Sequence, residues 1–301
     1  MAVYSHSRLS SYENCPRQFE YRYVQKLETE REGIEAFVGK RVHEVLERLY
    51  HHLRRHARPP SLRQVLERFN KDWGILWHDK IEIVRKEFDT DHYQAQGRTC
   101  LENYYRSQYP FDQEETVAVE HTVQFPLDPA GRYRMRGIID RIARTGPGAY
   151  EVHDYKTGRY LPPAARFETD RQLALYQIGL ERAYPDVERV ELVWHYLHFN
   201  RTIRSRRSPE QLDALQTQTM ARIEEIETAS EYPAKPSRLC EWCDYRDVCP
   251  DAKLPKEASS GLPPAEAARP GTAAEPAASG PAEPGPDSDS TPGPESQLRL
   301  I

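Results

Sequence analysis

Apolar and polar residues alternate in the middle of the chain in a way that predicts three consecutive strands. The strands are expected over residues 117–125, 133–143 and 150–155, because alternation with period two is typical of half-buried strands. Ile138 and Ile139 lie in the second strand, and Tyr150 and Val152 lie in the third. The segment 144–148 contains Gly-Pro-Gly, which is a turn signal. The second and third strands are therefore expected to be neighbours in one sheet.

Helical periodicity surrounds these strands on both sides. Apolar residues recur at helical spacing over 39–53, where they are Val42, Val45, Leu46, Leu49 and Tyr50. Further helices are expected over 7–24, over most of 62–105, and over 169–183 and 209–228, with a fourth strand over 190–199. This order of elements predicts an α/β fold in which helices pack around a small mixed sheet.

Length and composition narrow the class of protein. The 301 residues can bury one sizeable core or two small ones, and 30% of them are charged. The mean hydropathy is −0.83, and the chain contains no run near the ~20 apolar residues of a membrane span. The first residues show no secretory signal, so a cytoplasmic location without membrane partners is expected. Five cysteines in such a chain indicate metal or cluster ligation better than disulfide bonds.

Composition changes sharply near the end of the folded part, which is expected over residues 1–255. Residues 256–301 are rich in Pro, Ala, Gly and acids and are expected to be disordered. They hold four of the five excess negative charges of the chain. The final segment, Gln297 to Ile301, resembles the Gln-Leu-x-Leu-Phe peptide that binds bacterial sliding clamps, and a clamp is therefore a candidate partner.

The charges of residues 1–255 are nearly balanced, although basic residues cluster over 201–207. This arginine-rich run can contact phosphates, or it can be a solvated loop between a strand and a helix. Net charge does not decide between these alternatives.

Asp140 and Asp154 carry the chemistry that the strands bring together. Carboxylate oxygens are the ligands that Mg²⁺ and Mn²⁺ prefer. Lys156 comes two residues after Asp154 and projects from the same face of its strand. Such a lysine can orient or deprotonate an attacking water and offset charge on a phosphate. The arrangement predicts metal-assisted hydrolysis of a phosphodiester.

Four of the cysteines form a second, independent pattern. Cys240, Cys243 and Cys249 lie close in sequence near the end of the folded part, and Cys15 lies near its beginning. Four thiols suit a tetrahedral zinc or a four-iron cluster equally by count. Cys100 lies outside this spacing and is expected to be an ordinary, partly buried residue. A bound metal would tie together both ends of the domain.

These blocks, taken in order, resemble the RecB-type iron–sulfur branch of the PD-(D/E)xK nuclease superfamily. That branch includes the AddB nuclease domain, the CRISPR-associated adaptation nucleases and the exonuclease V type. The resemblance covers residues 4–250 and adds three features: the entry helix with Cys15, His43 in a Gly-x₃-His motif, and the pair Gln172 and Tyr176. It departs at Ile139, where the superfamily name has proline. It implies a restriction-endonuclease-like core with a helical insertion and a cysteine cluster that joins the two ends.

The resemblance also implies a role for each site residue. Asp140, Asp154, His43 and the carbonyl of Tyr155 would hold Mg²⁺ or Mn²⁺, and Lys156 would position the attacking water. Gln172 and Tyr176 would orient the lysine or the DNA strand. Glu120 would help to order the site, or it would pair with a nearby arginine. Cys15, Cys240, Cys243 and Cys249 would bind a [4Fe–4S] cluster, with Zn²⁺ as the alternative.

The expected function is a metal-dependent DNA nuclease, an exonuclease acting on single strands or DNA ends in recombination and repair. The alternative is a CRISPR-adaptation or DNA-end-binding accessory factor whose nuclease site depends on a partner. A third hypothesis is that the cluster is a redox sensor that tunes DNA affinity. The three are distinguished by whether the purified protein degrades single-stranded DNA with Mg²⁺ or Mn²⁺ and by how its absorbance responds to oxidation.

Overall fold

The computed structural model describes residues 2–56 and 58–252 as helices and strands around one main sheet. A π-helix, Glu20–Val24, continues the second helix. In chain order the elements are β1 (Val3–Tyr4), α1 (His6–Asn14), α2 (Pro16–Phe19), β2 (Glu32–Gly33), α3 (Ile34–Leu53), α4 (Leu62–Leu76), β3 (Ile81–Glu82), α5 (Thr90–Gln108), β4 (Glu115–Pro126), β5 (Arg134–Gly146), β6 (Ala149–Lys156), α6 (Arg171–Ala183), β7 (Arg189–Tyr196), β8 (Arg201–Ser205) and α7 (Pro209–Thr228).

The main sheet is mixed and has six strands. β4, β5 and β6 are antiparallel neighbours, β6 and β7 run parallel, and β8 closes the far edge antiparallel to β7. β1 adds a short parallel pairing to β5. The two remaining short strands, β2 and β3, pair with each other in a separate parallel ribbon.

One edge of β5 is divided between two partners. β1 pairs with β5 at Arg134 and Met135, and β6 pairs with it only from Arg141 onwards. Between these points residues 136–139 of β5 pair with β4 alone. β5 and β6 therefore separate before Arg141, which leaves an opening in the sheet beside Asp140.

Helices cover the sheet on both faces and create two apolar cores. The core on one face joins α1, α2, α6 and α7 to side chains such as Ile139 and Val152. The core on the other face joins α3, α4 and α5 to Tyr155. Since alternate residues of β6 point to opposite faces, this strand contributes to both cores. The predicted α/β class, with a small mixed sheet flanked by helices, is confirmed.

Local sequence explains where several helices begin. Ser208 caps α7 and forms a reciprocal capping box with Gln211, with Pro209 in the first turn. Ser61 and Gln64 do the same for α4. The Asp170 side chain accepts a hydrogen bond from the Leu173 backbone N–H and caps α6. This last cap fixes the first turn of the helix that carries Gln172.

Several predicted elements differ from the observed ones. The predicted helical segment 62–105 is broken between α4 and α5. The predicted strand 190–199 ends at Tyr196, and the arginine-rich run 201–207 begins as the edge strand β8 rather than as a loop. Cys100 is fully buried. The predicted tail 256–301, with its docking peptide Gln297 to Ile301, lies outside the described residues. No helix in the described part is long and apolar enough to cross a membrane.

Candidate functional site

Three side chains from different elements converge at the opening beside β5. They are His43 on α3, Glu120 on β4 and Asp140 on β5, and their ligand atoms all lie within 4.8 Å of one another. The Nδ1 of His43 lies 3.6 Å from Asp140 Oδ1 and 3.8 Å from Glu120 Oε1. We call this set the first acidic cluster. One histidine and two carboxylates form a donor set that suits a divalent cation.

The backbone of Tyr155 orders two members of this cluster. Its N–H donates to Asp140 Oδ2 at 2.7 Å, and its carbonyl oxygen lies 2.9 Å from His43 Nε2. A hydrogen bond from Nε2–H to this carbonyl turns Nδ1 of the imidazole toward the carboxylates. The Glu120 backbone has a φ of 44°, an uncommon left-handed conformation for a residue other than glycine.

Crowding of negative charge shifts the pKa values in the first acidic cluster. Burial, together with the charges of Asp154 and Glu120, raises the pKa of Asp140 to about 7 despite the opposing effect of His43. Burial acts to lower the pKa of His43, but Asp140 and Glu120 outweigh it and raise this pKa to about 9. The site therefore carries more negative charge than its own side chains can balance, which is the situation that a bound cation relieves.

Asp154 and Lys156 form a second layer next to this cluster. Lys156 Nζ donates to Asp154 Oδ1 at 3.0 Å and to Gln172 Oε1 at 2.9 Å. Gln172 Nε2 donates to the same Asp154 oxygen at 2.9 Å and to the Tyr176 hydroxyl at 3.2 Å. These bonds fix the lysine in position. The other Asp154 oxygen, Oδ2, is buried and lies 2.8 Å from Lys156 Nζ without forming a hydrogen bond, so it keeps acceptor capacity.

Gly137 explains how Tyr176 reaches this layer. The ring of Tyr176 lies directly against the backbone of β5, and a Cβ atom on Gly137 would come within 2.4 Å of the ring. Only glycine leaves room for this approach. The Gly-x-x-Asp spacing of β5 thus serves both the aromatic ring and Asp140.

A second group of similar composition lies away from the opening, near the end of α3, where its members are Glu114, Glu151 and His153. We call it the second acidic cluster. Arg141 lies against it, 2.8 Å from Glu114 Oε2 and 3.1 Å from the ring nitrogens of His153. Arg204 also pairs with Glu151. Burial and Arg141 lower the pKa of His153 well below its usual value. Sequence reasoning does not anticipate this group.

One cavity of about 230 Å³ is lined by Cys15, Cys240, Cys243 and Cys249. Cys15 lies between α1 and α2, and Cys240 lies in the 3₁₀ turn Arg238–Trp242. Cys243 follows this turn, and Cys249 directly precedes the 3₁₀ turn Pro250–Ala252. Backbone N–H groups donate to two sulfurs, from Lys235 to Cys15 and from Ser237 to Cys240, each at 3.4 Å. No three of these cysteines bring their Sγ atoms within 4.8 Å of one another, since the described residues contain no such cysteine group.

Other contacts join the same two ends of the domain. Arg22 pairs with Asp244, and Arg31 pairs with Asp247. The Tyr245 hydroxyl donates to the Leu27 carbonyl at 3.2 Å. The ends therefore meet through protein contacts as well as through the cysteine pocket.

The structure brings together most of the residues that the sequence singled out. His43, Asp140, Asp154, Lys156, Gln172 and Tyr176 lie in one continuous site, and the four cysteines lie in another. The Tyr155 carbonyl contacts the imidazole of His43. Glu120 joins the metal-ligating atoms and forms no ion pair with an arginine in the described part of the chain. The pairing of β4 with β5 brings Glu120 near Asp140, and this pairing is the feature from which its place in the site could be predicted.

Comparison with known protein families identifies the class to which the chain belongs. The family model of the PD-(D/E)XK nuclease superfamily matches residues 3–250. The chain belongs to this superfamily.

The solved structures that match the chain share little sequence with it. SSO0001 is 16% identical, with 84% of this chain and 87% of that chain covered and a TM-score of 0.37. A candidate exonuclease from Eubacterium rectale is 14% identical, with 86% and 94% covered and a TM-score of 0.48. None of the curated proteins matches the chain.

Proposed function

We propose that this protein is a Mg²⁺- or Mn²⁺-dependent deoxyribonuclease, an exonuclease acting on single-stranded DNA or DNA ends in recombination and repair. One observation carries the proposal. Three metal-binding side chains from α3, β4 and β5 converge beside a lysine that is fixed by Asp154 and Gln172. These are the groups that metal-dependent hydrolysis of a phosphodiester requires, and the chain that carries them belongs to a nuclease superfamily.

The geometry supports a distinct role for each residue that faces the metal. We assign His43, Glu120 and Asp140 as ligands, with Asp154 contributing its buried Oδ2. The Tyr155 carbonyl holds the imidazole so that Nδ1 faces the carboxylates. A divalent cation at this point supplies a Lewis acid and makes a bound water more acidic.

Lys156 acts as a fixed positive charge in this assignment. Burial acts to lower its pKa, but Asp154 outweighs burial and raises it. The lysine therefore stays protonated at neutral pH, so it donates to the attacking water or to the phosphate and does not act as a base. Gln172 and Tyr176 keep the ammonium group in place.

The test is cleavage of end-labelled DNA by the purified protein. Single- and double-stranded substrates labelled at either end are incubated with Mg²⁺ or Mn²⁺, and the products reveal strand preference and polarity. Lys156→Met removes the charge, whereas Lys71→Met removes an exposed lysine of α4. Cleavage is expected from the parent and from Lys71→Met but not from Lys156→Met. Cleavage that survives Lys156→Met contradicts the assignment.

The alternative function gives a different result in the same assay. A CRISPR-adaptation or DNA-end-binding accessory factor would bind the labelled DNA and leave it intact until a partner is added. Binding without cleavage by the parent protein would therefore favour that function over an autonomous nuclease.

We further propose that the cysteine pocket holds a [4Fe–4S] cluster. A tetrahedral zinc with bonds of about 2.3 Å needs sulfurs only about 3.8 Å apart. These four thiols line one cavity of about 230 Å³, and a four-iron cluster is the larger of the two groups that four thiols can hold. The backbone N–H groups that point to Cys15 and Cys240 also suit metal-bound thiolates.

Metal analysis of protein purified without oxygen tests the cluster. The expected result is close to four irons per chain, with visible absorbance that bleaches on oxidation. Cys240→Ala should lose the iron, and Cys100→Ala, which removes a buried thiol outside the pocket, should keep it. Colourless protein that contains one zinc per chain would show that the pocket binds zinc and not an iron–sulfur cluster.

A further inference from the structure

One face of the β4–β5 hairpin is exposed and basic, and it leads to the first acidic cluster. On β5, Arg134, Arg136 and Ile138 are exposed, while the residues between them are buried against α6. On β4, Thr122 and Gln124 are exposed in the same alternating way. We call these five residues the exposed hairpin face. The next alternate positions inward are Asp140 on β5 and Glu120 on β4.

Within the described residues, the two arginines of this face have no acidic partner. Neither Arg134 nor Arg136 forms an ion pair or side-chain hydrogen bond with any residue that the structure describes. By contrast, Arg204 of β8 pairs with Glu151 and Glu191. Two uncompensated positive charges beside a site that acts on a phosphodiester complement the charge of a nucleic-acid backbone.

A recess of about 340 Å³ connects this face to the proposed catalytic layer. Arg136 and Ile138 line one side, and Gln172 and Tyr176 line the other. His6, in the first turn of α1, also lines it, and its Nδ1 is a buried atom without a hydrogen-bond partner in the described residues. A group held in the recess would therefore lie between the exposed hairpin face and the proposed catalytic layer.

We propose that the DNA strand crosses the exposed hairpin face on its way to the metal, with Arg134 and Arg136 contacting phosphates near the cleaved one. The nucleotide next to the scissile phosphate occupies the recess, where it packs on Ile138 and contacts His6. Four residues of a strand span about 13 Å, so Arg136 lies within a few nucleotides of Asp140. The proposal rests on the proposed nuclease function and extends it to the path of the substrate.

Binding of fluorescent single-stranded DNA without divalent metal tests this path independently of cleavage. Dissociation constants are measured by anisotropy across a range of salt concentrations for the parent and for the double variant Arg134→Ala/Arg136→Ala. Removing one arginine–phosphate interaction with a single strand lowers the salt slope by about 0.7. The double variant should bind about tenfold more weakly, with a slope reduced by about 1.4.

Two further variants make the result specific. Arg201→Ala removes an exposed arginine from β8 at the opposite edge of the sheet, and its affinity and slope should equal those of the parent. His6→Ala should weaken binding a few-fold with an unchanged slope, because a neutral contact releases no counterions. Thermal unfolding confirms that each variant is folded.

The outcomes separate this inference from the proposed function. If the parent cleaves DNA but the double variant keeps the parental affinity and slope, the path is wrong and the nuclease function stands. If the double variant loses affinity as expected but the parent cleaves nothing, the path stands and the function fails. An equal loss in Arg201→Ala would also overturn the path, because binding would then be spread over the whole surface.

Discussion

The two acidic clusters have almost the same composition but different surroundings. Each consists of one histidine and two carboxylates whose ligand atoms lie within 4.8 Å. In the second acidic cluster, Arg141 pairs with Glu114 and Arg204 pairs with Glu151. Among the described residues, no arginine pairs with the first cluster, and the cation beside Asp154 is Lys156. The same kinds of donor atoms thus form two different sites. Near the end of α3 the carboxylates are neutralised by arginines, whereas at the opening the carboxylates have no arginine to balance them.

This difference is expressed in the two histidines. His43 faces uncompensated carboxylates, which raise its pKa to about 9. His153 is buried beside Arg141, and burial and this arginine lower its pKa well below the usual value. A search for metal sites that counts ligands alone would give both clusters equal weight. The charge of the neighbouring residues distinguishes a site that needs a cation from one that already has it.

The largest expected effect comes from removing one charge of the first acidic cluster. Asp140→Asn should lower metal-dependent DNA cleavage by about 10³-fold or more, because a neutral amide binds a divalent cation poorly. The free energy of unfolding should stay the same or increase, since one of several crowded carboxylates is gone. Single-turnover cleavage and urea unfolding measure the two quantities.

The matching change in the second acidic cluster serves as the control. Glu114→Gln should leave cleavage within a few-fold of the parent because this residue lies near the end of α3, away from the opening. A loss of cleavage equal to that of Asp140→Asn would remove the functional distinction between the clusters.

The next effect is on stability and falls on the second acidic cluster. Arg141 is 1% exposed and touches Glu114, His153 and the ring of Tyr50. Arg141→Met should lower the free energy of unfolding by about 3–5 kcal/mol, because it leaves the largely buried carboxylate of Glu114 without its arginine. Arg204→Met should cost less, because the Arg204 side chain is 43% exposed and water screens its charge. Equal costs in urea unfolding would show that burial does not control the role of Arg141.

The sequence predicts the first acidic cluster better than the second for a physical reason. Asp140 of this cluster and Asp154 of the layer beside it lie on adjacent strands with clear alternation, so local pattern alone brings them close. The second cluster depends on which arginine packs beneath which strand, and alternation does not reveal that. β8 is a related case. Its backbone pairs with β7, where Arg204 also pairs with Glu191 of the neighbouring strand, and composition alone does not reveal this pairing.

Metal addition should stabilise the folded protein through one cluster only. At a metal concentration of 100 times the dissociation constant, the free energy of unfolding should rise by about 2.7 kcal/mol. Glu120→Gln should lose most of this gain because Glu120 belongs to the first acidic cluster, whereas Glu114→Gln should keep it. Thermal unfolding with Mg²⁺ or Mn²⁺ measures both. If Glu114→Gln abolished the gain and Glu120→Gln did not, the cation would bind at the second cluster.

The smallest expected effect concerns the hydrogen bonds that hold Lys156 beside the first acidic cluster. Tyr176→Phe keeps the ring against Gly137 but removes the hydroxyl that accepts from Gln172 Nε2. A neutral hydrogen bond contributes about 1 kcal/mol, so the cleavage rate for bound DNA should fall about fivefold with KM unchanged. Gln172→Ala should cost more, since it removes direct bonds to both Lys156 and Asp154. If Tyr176→Phe raised KM and left the rate unchanged, the hydroxyl would contact DNA and would not position the lysine.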